Sequence, residues 1–101
     1  MIGSVEKAVL CDFCSACAPA WLYPADTFLD QHGSISKGSW LACDECHRLI
    51  EAGDRGRLAD RVLLTDTVRS GAVSKRLARQ YARDLHGRFF IHRTGEARRL
   101  V

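Results

Sequence analysis

Cys11-Asp12-Phe13-Cys14 and Cys43-Asp44-Glu45-Cys46 are two C-x2-C pairs in a chain of 101 residues. Two intervening residues let both sulfurs of a pair reach one ion, and two such pairs complete the closed tetrahedron of a structural zinc site. The spacing therefore predicts one structural Zn2+ held by Cys11, Cys14, Cys43 and Cys46. A shell of four thiolates leaves no position for water, so such a metal would organise the fold and do no Lewis-acid chemistry. It carries a formal double negative charge that the protein must offset. Backbone donors where the helix of Cys43 and Cys46 begins are expected to supply part of this, with Arg48 and Lys37 as cationic side chains near the site in sequence.

Two further residues are alternative ligands. Cys14 and Cys17 also form a C-x2-C pair, but Cys11/Cys14 is the better knuckle. In a knuckle the backbone N–H groups just after the second cysteine point at thiolate sulfur. After Cys14 these belong to Ser15 and Ala16, whereas after Cys17 the second such position is Pro19, which has no N–H. Cys17 is then a small, partly buried residue or a free thiol. His47 follows its cysteine directly and could replace a ligand; with four cysteines present, a packed or hydrogen-bonded helix histidine is the expected reading.

The elements that must position these residues can be read from punctuation and periodicity. Ala20-Trp21-Leu22-Tyr23 and Thr27-Phe28-Leu29 read as short strands around Pro24. Gln31-His32-Gly33-Ser34 supplies a turn, and Lys37 to Ala42 returns as a strand, making a hairpin between the two cysteine pairs. Trp21, Tyr23, Phe28 and Trp40 are assigned to a small core, with base stacking as the less favoured alternative. Cys43, Cys46, His47 and Ile50 share one face of a first helix that Gly53 terminates. Asp54 caps a second helix carrying Leu58, Val62 and Leu63 and fading around 68–71. Ser74 caps a third with the stripe Leu77, Ala78, Tyr81, Leu85 and Phe89, which Gly87 ends or bends.

Composition places these elements in one globular domain, residues 1–101, with 47% apolar and 27% charged residues. A domain of this size buries a modest core, so a metal linking distant segments adds stability that packing alone lacks. Five cysteines, an odd number, argue against a complete disulfide framework. The first residues lack the basic and apolar regions of a signal peptide, and no apolar run approaches the ~20 residues that span a bilayer, so a cytoplasmic, non-membrane protein is expected. The net charge of +3 is unevenly spread. Residues 1–53 hold three Lys or Arg against seven Asp or Glu, and residues 54–101 hold twelve against five. That polarity suits an acidic partner, nucleic acid or an acidic protein surface.

Residues 11–53, with knuckle, hairpin and helix around one zinc, resemble the treble-clef class of zinc fingers. The class includes nucleic-acid binders, protein-interaction modules and nucleases, so the resemblance implies zinc and no single activity. Cys11-Asp12-Phe13-Cys14, Trp21-x-Tyr23-Pro24, the run from Trp40 to Glu51, and Phe89-Phe90-x-His92-Arg93-Thr94-Gly95 look like a family of small, uncharacterised actinobacterial and phage-related zinc-binding proteins. Cys43-x2-Cys46-His47 is also similar to a piece of the zinc-bearing HNH nucleases. There the family's adjacent Asp-His becomes Asp30-Gln31-His32, and Trp40 stands where an asparagine would be sought. No nucleophile elbow, Gly-rich phosphate loop or thioredoxin-like βαβ context accompanies these residues.

The sequence thus predicts an α+β fold: a treble-clef-like zinc half over 11–53, a basic helical extension over 54–95 packed on it through Leu58, Val62, Leu77, Tyr81, Leu85 and Phe89, and a frayed tail over 96–101. The expected role is non-enzymatic, an adaptor or regulator binding nucleic acid or a transcription or translation protein, with no small-molecule substrate. Arg76, Arg79, Arg83, Arg88 and Arg93 are the candidate contacts to phosphate or to an acidic patch. The alternative is a degenerate or active HNH-like nuclease.

Overall fold

Backbone conformation is set first at the cysteine knuckle. The computed structural model describes residues 9–29, 33, 35–36 and 38–100. Ser15 takes φ 53°, and its N–H donates to the Cys11 carbonyl at 2.8 Å, closing a tight turn that brings Cys11 and Cys14 together. Short strands follow: β1 (Trp21–Tyr23), β2 (Phe28–Leu29), β3 (Ile35–Ser36) and β4 (Trp40–Ala42). β1 and β4 pair antiparallel with Trp21 opposite Ala42 and Tyr23 opposite Trp40, so the chain between the two cysteine pairs does fold back on itself. β2 and β3 form a separate ribbon inside that loop.

Asp12 locks the knuckle to this sheet. Its N–H donates to the Leu41 carbonyl at 2.8 Å, and its carboxylate accepts from the Leu41 N–H at 2.6 Å. Immediately after β4, Cys43 caps α1 (Asp44–Ala52), and Gly53 ends it at φ 72°, a left-handed conformation that glycine adopts without steric cost. Asp54 then caps α2 (Arg55–Asp60) by accepting from the Arg57 N–H at 3.1 Å. The single second helix expected over this stretch is broken. A 3-10 turn covers Arg61–Leu64, and α3 is confined to Asp66–Arg69.

α4 spans Lys75–His92 and is capped by Ser74, whose hydroxyl accepts from the Leu77 N–H at 3.2 Å. Two expectations fail here. Gly87 neither ends nor bends the helix into a stop. It is an interior residue lying under Arg55, whose guanidinium sits 3.6 Å from where a Cβ would project. The buried stripe is also rotated: Ala78, Ala82, His86 and Phe89 face inward, while Leu77 is 66% and Tyr81 41% exposed. Leu77 and Tyr81 therefore lie off the buried face, whereas Leu85 packs partly buried against the core as expected. The small side chains of Ala78 and Ala82 let the helix approach closely, and larger residues at the same positions would hold it off.

After α4 the chain returns along the sheet. The Asp26 N–H donates to the His92 carbonyl at 2.9 Å and the Thr94 N–H to the Pro24 carbonyl at 3.0 Å. Arg98–Arg99 forms β5, giving the sheet order β4-β1-β5. Residues 98–99, expected within a frayed tail, instead complete the hydrogen bonding of β1. The core lies between sheet and helices. Phe13 meets Phe89 edge-on at 5.0 Å, and Trp40 lies 5.0 Å from each of them, with Tyr23, Phe28, Leu49, Ile50 and Leu58 around. Burying a side chain such as Leu58 or Phe89 contributes about 1.5–3 kcal/mol each. Among the described residues, no helix is long and apolar enough to cross a membrane.

Candidate metal centre

Cys11 and Cys14 are held by the knuckle and Cys43 and Cys46 by the start of α1, because Asp12 and the β1–β4 pairing fix these two segments side by side. All four thiols are buried, and their sulfur atoms lie within 4.8 Å of one another. A metal bonded to four sulfurs at ~2.3 Å requires sulfurs about 3.8 Å apart. The Cys14 and Cys43 Sγ atoms, at 3.9 Å, already stand near that edge length. The four residues thus fit a single metal ion.

The charge environment points the same way. Contacts with Cys11 and Cys14 push the Cys46 thiol well above its ordinary pKa, and the contact with Cys14 pushes Cys11 up to about 12. Cys14 is pushed down, first through its contact with Cys11. Thiols so close cannot all ionise without a cation among them.

Backbone donors are present as the sequence predicts, though not all at the predicted residues. The Phe13 N–H donates to Cys11 Sγ and the Cys46 N–H to Cys43 Sγ, each at 3.4 Å. Cys14 is served by the backbone of Ala16 and Cys17; the Ser15 N–H, expected to point at sulfur, goes instead to the Cys11 carbonyl.

The cationic partner is Arg61, which no local pattern in the sequence announces. From the 3-10 turn its Nε donates to Cys46 Sγ at 3.2 Å, and its Nη2 lies 3.6 Å from Cys43 Sγ, 3.6 Å from Cys17 Sγ and 3.9 Å from Cys14 Sγ. Burial alone would lower its pKa, but the sulfurs of Cys46, Cys14 and Cys43 outweigh it and raise it. Arg48, near the site in sequence, is a solvated surface residue paired with Glu45. Lys37 lies outside the described residues. Cys17 sits at the edge of the cluster under Arg61, beside the four converging thiols.

His47 points away to a second network. Its ring stacks on Trp21 at 3.7 Å and 8°, and its Nδ1 lies 2.7 Å from the Tyr23 hydroxyl. That hydroxyl donates its one proton to Glu51 at 2.8 Å, so His47 Nδ1 must be the donor to the phenol oxygen. Arg93 completes the chain, 3.6 Å from Glu51 and over the Tyr23 ring. On the outer face, Trp21 donates to Asp44 at 2.9 Å, and Arg99 pairs with the same carboxylate at 3.3 Å while covering the indole. The His32 and Asp30 positions of the nuclease comparison lie outside the described residues.

The five candidate arginines do not form one surface of free charge. Arg79 is paired with Asp60 at 2.6 Å, and Arg93 is committed to Glu51. Arg76 is exposed near the start of α4. Arg83 and Arg88 line a groove with Arg55, Gly87, Phe90 and Ile91. Arg55, from α2, was not among the sequence-derived contacts. Phe90 is half-buried, with the Arg55 guanidinium 4.4 Å above its ring. Comparison of the chain with protein families, with curated proteins and with solved structures finds no match.

Proposed function

We propose that this chain is a zinc-organised, treble-clef-like domain with no catalytic activity of its own, which binds nucleic acid through basic side chains of its C-terminal half. Zinc is the metal best suited to four buried thiolates near tetrahedral spacing, and a closed sulfur shell favours a structural role. The order of knuckle, β1–β4 pairing and α1 supports the treble-clef reading. Five free cysteines suit a reducing compartment such as the cytoplasm.

The observation that carries the binding role is the sorting of the arginines. Among the described residues, Arg55, Arg69, Arg76, Arg83, Arg88 and Arg98 have no carboxylate within ion-pair distance, whereas Arg48, Arg57, Arg79, Arg93 and Arg99 do and Arg61 is taken up by the thiols. Unpaired guanidiniums on one half of a small domain are available to phosphate. The nuclease alternative has less support, since the His47 ring is committed to Trp21 and its Nδ1 to Tyr23.

Two measurements test the proposal. Elemental analysis of protein purified without chelator is expected to give one equivalent of zinc. Binding to nucleic acid should fall steeply as salt rises from about 50 to 200 mM. A pull-down that survives nuclease treatment and yields one dominant protein would replace nucleic acid with a protein partner. Metal-dependent nicking of a plasmid, lost in His47→Ala, would establish the nuclease.

A further inference from the structure

Where α4 passes α2, a cleft of about 230 Å³ is lined by Arg55, Arg83 and His86, and it adjoins the open groove that Arg88, Phe90 and Ile91 border. Its chemistry is two-sided. Arg55 and Arg83 are donors with no partner among the described residues, while Arg88 gives one N–H to the Leu29 carbonyl at 3.3 Å and keeps the rest of its fork. Asp84 also borders the groove, but its carboxylate accepts from Gln80 at 3.1 Å. Beneath these donors lies a buried ring. His86 is 3% exposed, and its Nδ1 is sealed from solvent with no hydrogen-bond partner. Burial holds this imidazole neutral, with its pKa pushed down to about 4, so it adds no charge beneath the arginines.

We propose that this cleft binds one unpaired nucleotide of a nucleic acid, with its phosphate on Arg83 and Arg88 and its base on the outer face of the Arg55 guanidinium. This rests on the nucleic-acid reading above and narrows it to one site and one strand form. A phosphate alone would satisfy Arg83 and Arg88 and leave the outer face of Arg55 uncovered, whereas a nucleotide brings oxyanion and base together. Arg55 already sits over the Phe90 ring at 4.4 Å, and a base stacked on its outer side would extend that pile. Ile91, 78% exposed at the rim, gives the base edge or sugar an apolar contact. Base faces are covered within a duplex, so the cleft selects single strands.

The test is fluorescence anisotropy with a labelled single strand of about 12 nucleotides and with the same sequence as a duplex, at about 50 mM salt. The single strand should bind at least about fivefold tighter than the duplex, and Arg83→Ala with Arg88→Ala should weaken it about tenfold or more. Arg48→Ala with Arg57→Ala, exposed arginines off the cleft that pair with Glu45 and Asp54, should cost less than about twofold. Adenosine monophosphate should displace the strand better than inorganic phosphate does. Arg83 and Arg88 are exposed, so loss of fold does not cloud these variants.

As a readout independent of mutation, the His86 ring signals of the wild-type protein should shift on titration with adenosine monophosphate. Equal losses from the two arginine pairs, equal competition by phosphate and the nucleotide, equal binding of duplex and single strand, or static His86 signals would each overturn the cleft while leaving diffuse nucleic-acid binding standing. No binding at all at that salt would overturn both.

Discussion

Replacing Arg61 by methionine keeps its stem against the protein and removes the guanidinium from the sulfur cluster. Arg61 Nε donates to Cys46 Sγ at 3.2 Å, and Nη2 stands 3.6 Å from Cys43 Sγ. A unit charge about 3.5 Å from a thiolate would contribute about 5 kcal/mol at an effective dielectric of ~20. Half-burial of Arg61 imposes a desolvation cost against this. The remainder should resemble a charge-assisted hydrogen bond, about 1.5–3 kcal/mol. That corresponds to about a 10–100-fold loss of metal affinity, the range seen when partners behind metal ligands are removed.

Zinc affinity is read by competition with a chromophoric chelator at neutral pH. Arg61→Lys should fall between wild type and Arg61→Met, because a compact ammonium keeps the charge but loses the planar fork that spans several sulfurs. Arg48→Met is the control, since Arg48 is 59% exposed and paired with Glu45. If Arg61→Met retains zinc within about twofold of wild type, or Arg48→Met loses as much, the argument that Arg61 neutralises the cluster is wrong.

Three further outcomes follow from the same geometry. Because His86 has its pKa pushed from 6.5 to about 4 by burial, its contribution is fully present above the unfolded value and is lost as pH falls toward the folded one. The stability gap between wild type and His86→Phe in urea melts should change by about 2 kcal/mol between pH 6.5 and 5, and a pH-independent gap would contradict this. Cys17→Ser should keep one equivalent of metal by elemental analysis and Cys43→Ser should lose it, because the four converging thiols exclude Cys17; the reverse pattern would move the site. Tyr23→Phe removes the hydroxyl between His47 and Glu51 and should cost about 1–2 kcal/mol in denaturant unfolding, with a loss below about 0.3 kcal/mol counting against the network.

The four converging cysteines were legible because their signal is local. Two residues between thiols is a property of the chain itself, and so are Gly53 beyond α1, Asp54 before α2 and Ser74 before α4, since caps act within a few residues of where they stand. The β1–β4 pairing was legible for a related reason: two apolar runs flanking a turn must bury their faces together.

What escaped the sequence depends on distance and direction. Of the stripe Leu77, Ala78, Tyr81, Leu85 and Phe89 that periodicity gives α4, Ala78 and Phe89 are buried and Leu85 partly so, yet the neighbours available to the helix add Ala82 and His86 and leave Leu77 and Tyr81 outside. Periodicity identifies that a helix has a buried face; close approach to α2 decides which. Arg61 reaches sulfur from 15 residues beyond Cys46, and Arg55 meets Phe90 across two helices. Arg79 and Arg93, indistinguishable in sequence from Arg83 and Arg88, are taken up by Asp60 and Glu51. Spacing along the chain therefore determined the four converging cysteines and the helix ends, because short-range geometry suffices for both. Which charges are neutralised, which remain free, and which ring nitrogen is left buried without a partner were decided only by the packing of segments far apart in sequence.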